Sequence, residues 1–191
     1  MTVAVLVIAY LLGAIPFAVL LSRWETGIDV RRVGSGNPGA ANVWRSMGPA
    51  LGLAVLVLDC AKGAVAVLIA RRLGLDRTGE ALAALAAIAG HIWPVWLKFR
   101  GGKGVAAAAG AFAALTPWAF GVAFVTFAAT VAITRFVSLG SLFAAIAVTI
   151  AALAFHEPLS IVLVAAIVAT LITVRHAENI ARLRRGTEPH L

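Results

Sequence analysis

Apolar residues run along this chain in long, unbroken blocks, and short polar stretches punctuate them. The blocks cover Val3–Leu21, Leu51–Ala70, Ala81–Leu97, Val105–Ile133, Leu139–Phe155 and Leu159–Val174. A helix needs about 20 mostly apolar residues to cross the hydrocarbon core of a bilayer. A helix apolar on every side belongs in lipid or deep inside a protein. The pattern predicts an all-α integral membrane protein forming a single transmembrane domain over residues 1–191. Composition agrees: 62% of residues are hydrophobic, 13% are charged, and the mean hydropathy is +0.99. The first block has no basic start and is long enough to span, so it reads as a membrane helix and not as a cleaved leader.

The block Val105–Ile133 is interrupted by Thr116-Pro117 and reads as one kinked helix or as two shorter ones. Charge decides between them. Two helices make seven spans with the N-terminus outside and the C-terminus cytoplasmic. Only Arg71, Arg72 and Arg77 then lie outside, Lys62 lies within the membrane, and every other cation faces the cytoplasm. One kinked helix would move Arg135 and the tail arginines outside and split the cations almost evenly. Cytoplasmic loops carry an excess of Lys and Arg, so seven helices are predicted. Val105–Leu115 is then too short to span alone, and the polar loop before it should dip into the membrane against protein.

Sixteen Lys+Arg against eight Asp+Glu leave a net charge of +8. In a membrane protein this points to cytoplasmic loops, anionic lipid headgroups or anionic substrates, and not to nucleic acid. The seven-helix topology puts three polar segments on the cytoplasmic side. In Gly34–Arg45, glycines alternate with Ser and Asn, and Asn42 and Arg45 stand three residues apart on a short helix. In Gly90–Gly104, His91, Lys98, Arg100 and Lys103 accompany Gly101, Gly102 and Gly104. Glycines around a lysine let backbone N–H groups face an anion, and a helix starting there adds its positive end. In Arg175–Glu188, His176, Asn179 and Arg182 recur at threes, on one stripe of a helix. Each segment alone is equally a basic membrane-surface loop. Gly-Gly-Lys-Gly is not a Walker loop, because Gly104 stands where Ser or Thr is required.

Together these segments closely resemble the bacterial membrane acyl-phosphate:glycerol-3-phosphate acyltransferase family. The resemblance rests on Ser-Gly-Asn-x-Gly-Ala-x-Asn-x-x-Arg at Ser35–Arg45, and on Gly-His-x-x-Pro with Gly-Gly-Lys-Gly-Val-Ala at Gly90–Ala106. It also rests on His-x-x-Asn-Ile-x-Arg-Leu-x-x-Gly-Thr-Glu at His176–Glu188. Arg135–Ser141 and Asp59-x-x-Lys62-Gly63 are similar to family features as well. Ala41 and Ala107 depart from it, standing where a hydroxyl residue is common.

The resemblance implies transfer of an acyl group from acyl-phosphate to glycerol 3-phosphate, giving 1-acyl-glycerol 3-phosphate and phosphate. It implies catalysis by Arg45, Lys103, His176 and Asn179. Substrate would be bound by Ser35, Gly36, Asn37, Gly39 and Asn42 in the first segment and by Gly101, Gly102 and Gly104 in the second. Arg135, Ser138 and Ser141, with Arg182 and Glu188 of the tail, complete the set. Arg45 would supply a planar fork and Lys103 a point charge for two phosphates. Neutral donors are expected from Ser35, Asn37 and the backbone at Gly36, Gly101 and Gly102. Neither a cofactor nor a metal is expected. The partners are the two substrates and membrane lipid, in a bacterial inner membrane with the active site facing the cytoplasm.

Asp59 and Lys62, one helical turn apart near mid-span, read as a mutually paired structural couple, since unpaired charge there is costly. His91 reads as support for the glycine loop. Cys60 reads as a small buried hydrophobe, and His156 and His190 have no partner pattern. An anion transporter is the rival reading. The chain's halves show no repeat, and its polar motifs fall on one side, where alternating access needs both.

Overall fold

The computed structural model describes residues 2–190. Its helices gather into two compact units, Met1–Leu115 and Thr116–Leu191. The first unit holds α1 (Thr2–Gly13), α2 (Phe17–Thr26), α3 (Ala40–Met47), α4 (Pro49–Arg72), α5 (Arg77–Ile92) and α6 (Val105–Leu115). The second holds α7 (Pro117–Thr134), α8 (Val137–Ala154), α9 (Leu159–Arg175) and α10 (Ala177–Arg185).

The first apolar block continues to Thr26 and is not one uninterrupted helix. Pro16 lacks the N–H that would continue the ladder, and its ring clashes with the carbonyl a turn earlier. The helix therefore breaks over residues 14–16. The break turns the Ile15 carbonyl out of the ladder, and Lys62 Nζ donates to it at 2.9 Å. Pro94 has the matching effect on the third block, ending α5 at Ile92 ahead of a short 3₁₀ turn, Val95–Leu97.

Small residues let these helices touch backbone to backbone, as membrane interfaces favour. On α6, Gly110 faces the Cys60 carbonyl of α4, leaving no space for a Cβ. Alanine and valine fill the rest: Val5, Ala9, Ala66, Ala70, Ala83 and Ala87 form one cluster, and Ala18, Val19, Val30, Val43 and Val55 another. At the far end of α4, Arg71 forks onto Glu80, which also accepts from Arg77, and reaches the Ala114 carbonyl at the end of α6.

Thr116 separates α6 from α7, so Val105–Ile133 is indeed two helices. Pro117 occupies the first turn of α7, where its missing N–H is harmless. Within the second unit Thr116 Oγ1 donates to Glu157 Oε1 at 2.7 Å, which brings the turns at 116 and 156–158 to the same end. Large apolar side chains such as Phe124, Val125, Ile150 and Leu153 face outward, as a lipid surface requires. Among the described residues five helical segments are long and apolar enough to span: Thr2–Thr26, Pro49–Arg72, Arg77–Leu97, Pro117–Thr134 and Val137–Ala154. A sixth is α9 joined to α10 across a 57° bend. The apolar α6 is too short to qualify, so five segments, or six with the bent pair, stand against the seven predicted.

Candidate active site

The loop between α2 and α3 is folded from the inside by two side chains. Asp29 caps a 3₁₀ turn, accepting from the Arg31 N–H, and forms ion pairs with Arg31 at 2.6 Å and Arg23 at 2.7 Å. The Arg31 guanidinium, followed by Arg23, holds this carboxyl well below the usual carboxylate range despite its burial. Asn42 is 2% exposed. Its Oδ1 accepts from Ser35 N–H at 2.9 Å, and its Nδ2 donates to the Val30 and Val33 carbonyls. Asn42 is thus committed to shaping the loop. Gly36 N–H donates to Val33, so the neutral donor expected there is committed too. One turn beyond Asn42, Arg45 is exposed, with no hydrogen bond or ion pair among the described residues.

The second loop folds back on the end of α5. Lys98 and Phe99 take left-handed conformations (φ 53° and 62°) to reverse the chain. Gly101 N–H then donates to Ile92 O at 3.0 Å and Gly102 N–H to His91 O at 3.1 Å. The sequence reading offered these two N–H groups to a phosphate; in the structure they pin the loop instead. Gly104 has φ 90°, which an L side chain adopts only under strain, and α6 starts directly after it. Lys103 sits half-buried between these two fixed glycines.

Gly102 lies against the His91 ring. His91 Nδ1 is 3.6 Å from Asp59 Oδ1, which Lys62 Nζ approaches to 2.7 Å. Asp59 stands ten residues into α4, about 15 Å along it at 1.5 Å per residue. The glycine loop therefore meets α4 at mid-helix, as a loop dipping into the membrane must. A cavity of about 10 Å³, enough for roughly one water, opens among Ile15, Pro38, Asp59, Lys62, His91 and Gly102.

In the second unit, His176 stands at the bend between α9 and α10. Its Nδ1 is 2.8 Å from the Ile172 carbonyl, which can only accept, so Nδ1 carries the proton. Asn179 Nδ2 donates to Glu188 Oε1 at 2.6 Å, and Arg182 Nε to Glu188 Oε2 at 2.8 Å. Burial raises the Glu188 pKa, but the hydrogen bonds from Asn179 and Arg182 outweigh it, and the net shift is downward. Arg135 is exposed at the left-handed end of α7, Ser141 donates to the Val137 carbonyl, and His190 stacks on Phe136 at 4.5 Å. Among the described residues no three His, Cys, Asp or Glu side chains gather closely enough to hold a metal ion.

The sequence model of the glycerol-3-phosphate acyltransferases matches residues 3–186. The chain belongs to this family. Among its relatives is a glycerol-3-phosphate acyltransferase of Desulforamulus reducens, 43% identical over 98% of this chain and 94% of that one. Another, of Anaeromyxobacter sp., is 49% identical over 95% and 92%. A crystal structure of PlsY (YgiH), an integral membrane glycerol 3-phosphate acyltransferase in its glycerol 3-phosphate form, superposes with a TM-score of 0.95. It is 37% identical, covering 100% of this chain and 95% of that one.

Family membership throws into relief what the sequence did not expose. Asp29 had a signal: it is the one carboxylate between Gly27 and Gly48, amid three arginines. The bond from Lys62 to Ile15 had only Pro16 as a hint. The grip of Glu188 on Asn179 and Arg182 depends on a tail that folds back, which helical spacing does not reveal.

Proposed function

We propose that the protein transfers an acyl group from acyl-phosphate to glycerol 3-phosphate, with residues 1–191 acting as one transmembrane acyltransferase domain. The observation that carries this reading is the whole-length likeness to a relative crystallised in a glycerol 3-phosphate form and in a lysophosphatidic acid form. The glycerol hydroxyl oxygen attacks the acyl carbonyl carbon, the bond from that carbon to the phosphate oxygen breaks, and phosphate leaves. A phosphate oxygen takes the hydroxyl proton. Arg45 and Lys103 hold phosphate, Arg45 as a fork with no other partner among the described residues, Lys103 as a charge fixed by its glycines. Ser35, Asn37, Gly39, Arg135 and Ser138 add polar contacts. Rate enhancement comes from positioning and fixed charge. Purified enzyme in lipid nanodiscs is offered glycerol 3-phosphate with palmitoyl phosphate or palmitoyl-coenzyme A. Lysophosphatidate should form from palmitoyl phosphate; formation from the thioester alone would overturn the donor assignment.

His176 orients substrate in this scheme, and the bond from its Nδ1 to Ile172 supports a ring held in one orientation. The general-base alternative makes a different prediction, since removing a base typically costs about 10²–10⁴-fold and erases the acidic limb of the rate profile. For His176→Gln we expect kcat to fall by less than that, with the limb retained.

The reading includes seven membrane segments in a bacterial inner membrane, the N-terminus outside and the site facing the cytoplasm. The hydrogen bond from Thr116 to Glu157 supports it, since both turns are predicted to lie outside. Single cysteines in a Cys60→Ala background test it. An impermeant reagent applied to intact cells should label position 118 and spare position 187; labelling of 187 alone would invert the topology.

A further inference from the structure

Three ionisable side chains of the first unit are buried where none of the proposed substrate contacts needs them: Asp59, Lys62 and His91. An isolated pair one turn apart on α4 would need only its own two members. Here each member has another neighbour. Lys62 Nζ reaches from Asp59 to the Ile15 carbonyl at the break in the first span, and it stands 5.6 Å from the centre of the Phe17 ring. Asp59 faces His91 on α5. The far edge of the His91 ring is the wall against which Gly102 rests, and a Cβ at position 102 would overlap it. The backbone at Gly102 is not left-handed, so it is the imidazole that requires glycine there.

We infer that Asp59, Lys62 and His91 are positioning residues that set where the Gly-Gly-Lys-Gly loop, and with it Lys103, stands. The inference rests on the reading of Lys103 as a phosphate-holding cation. Two hydrogen bonds tie Gly101 and Gly102 to the end of α5, and the ring fixes how closely they approach. Asp59 holds the ring's other edge, and Lys62 anchors Asp59 to the broken first span. Lys103 follows Gly102 directly, so a shift of the ring is passed to the ammonium within one residue. A misplacement of about 1 Å can cost on the order of 10²-fold in rate.

The test is a double-mutant cycle on purified enzyme turning over glycerol 3-phosphate and palmitoyl phosphate. It uses His91→Ala, Gly102→Ala and their combination, with kcat and KM expressed per folded molecule and the unfolding temperature measured alongside. Each single variant should lower kcat by about 10- to 100-fold. The double variant should lose far less than the product of the two, because both act through one contact. A purely structural role would change yield and unfolding temperature and leave kcat per folded enzyme intact. That result, or losses that multiply, overturns the inference. Should His91→Ala not fold, Asp59→Asn, which keeps the side chain's shape, replaces it in the same cycle with the same two outcomes. An inactive wild type would overturn the proposed function, whereas multiplying losses in an active wild type overturn this inference alone.

Discussion

Lys103→Ala and Arg45→Ala should each lower kcat/KM for glycerol 3-phosphate by at least about 100-fold, whereas Arg184→Ala and Arg185→Ala should change it little. A factor of 100 is about 2.7 kcal/mol of transition-state stabilisation, the scale on which removing one preorganised contact to developing charge is felt. All four residues are cations, and Arg184 and Arg185 are exposed on the last turn of α10. The contrast therefore separates a shaped site from bulk positive charge. Lys103 follows two glycines held to α5, and Arg45 lies on a helix whose Asn42 is locked into the preceding loop. Lys103→Arg should recover only part of the activity, because a planar fork does not replace a point charge in a fixed loop. Steady-state kinetics with both substrates varied would decide; equal losses across all four alanine variants would mean that no shaped site exists.

The largest effect on stability should come from Lys62→Ala, at about 3–5 kcal/mol, the usual cost of stranding one partner of a buried ion pair. Lys62 and Asp59 are 4% and 2% exposed, so solvent screening offers little relief. Removing the ammonium leaves a carboxylate at mid-helix and takes one of two donors from the Ile15 carbonyl, the Phe17 N–H remaining. Asp59→Asn combined with Lys62→Gln should regain most of the loss, because neither residue is then charged and the glutamine amide can still donate. Unfolding in mixed micelles with increasing denaturing detergent measures this. A double variant as unstable as Lys62→Ala would show that the stranded carboxylate is not the source of the loss.

The membrane class and the division of Val105–Ile133 at Thr116-Pro117 were legible in the sequence, because apolar blocks of spanning length and Pro117 act locally. The breaks at Pro16 and Pro94 were not, since they fall inside blocks read as continuous. Partners at long sequence separation were not legible either. Asn42 was expected to bind substrate because it falls in the family's Ser35–Arg45 motif and shares a helix side with Arg45, yet its amide is satisfied by Val30, Val33 and Ser35. Spacing shows which face of a helix a residue occupies but not whether a loop already occupies that face. Glu188 illustrates the same limit: its carboxylate engages both Asn179 and Arg182, a pairing that only the returning tail creates.

The break at Pro16 also has a consequence for how the chain is made. A lipid interior has no water with which to satisfy a carbonyl released from its ladder. The group that bonds to Ile15 comes from Lys62, 47 residues further on, and so leaves the ribosome later. During synthesis the first span therefore enters the bilayer with its broken turn held by the local bond from Phe17 N–H to the Ile15 carbonyl, and the second donor arrives only with α4.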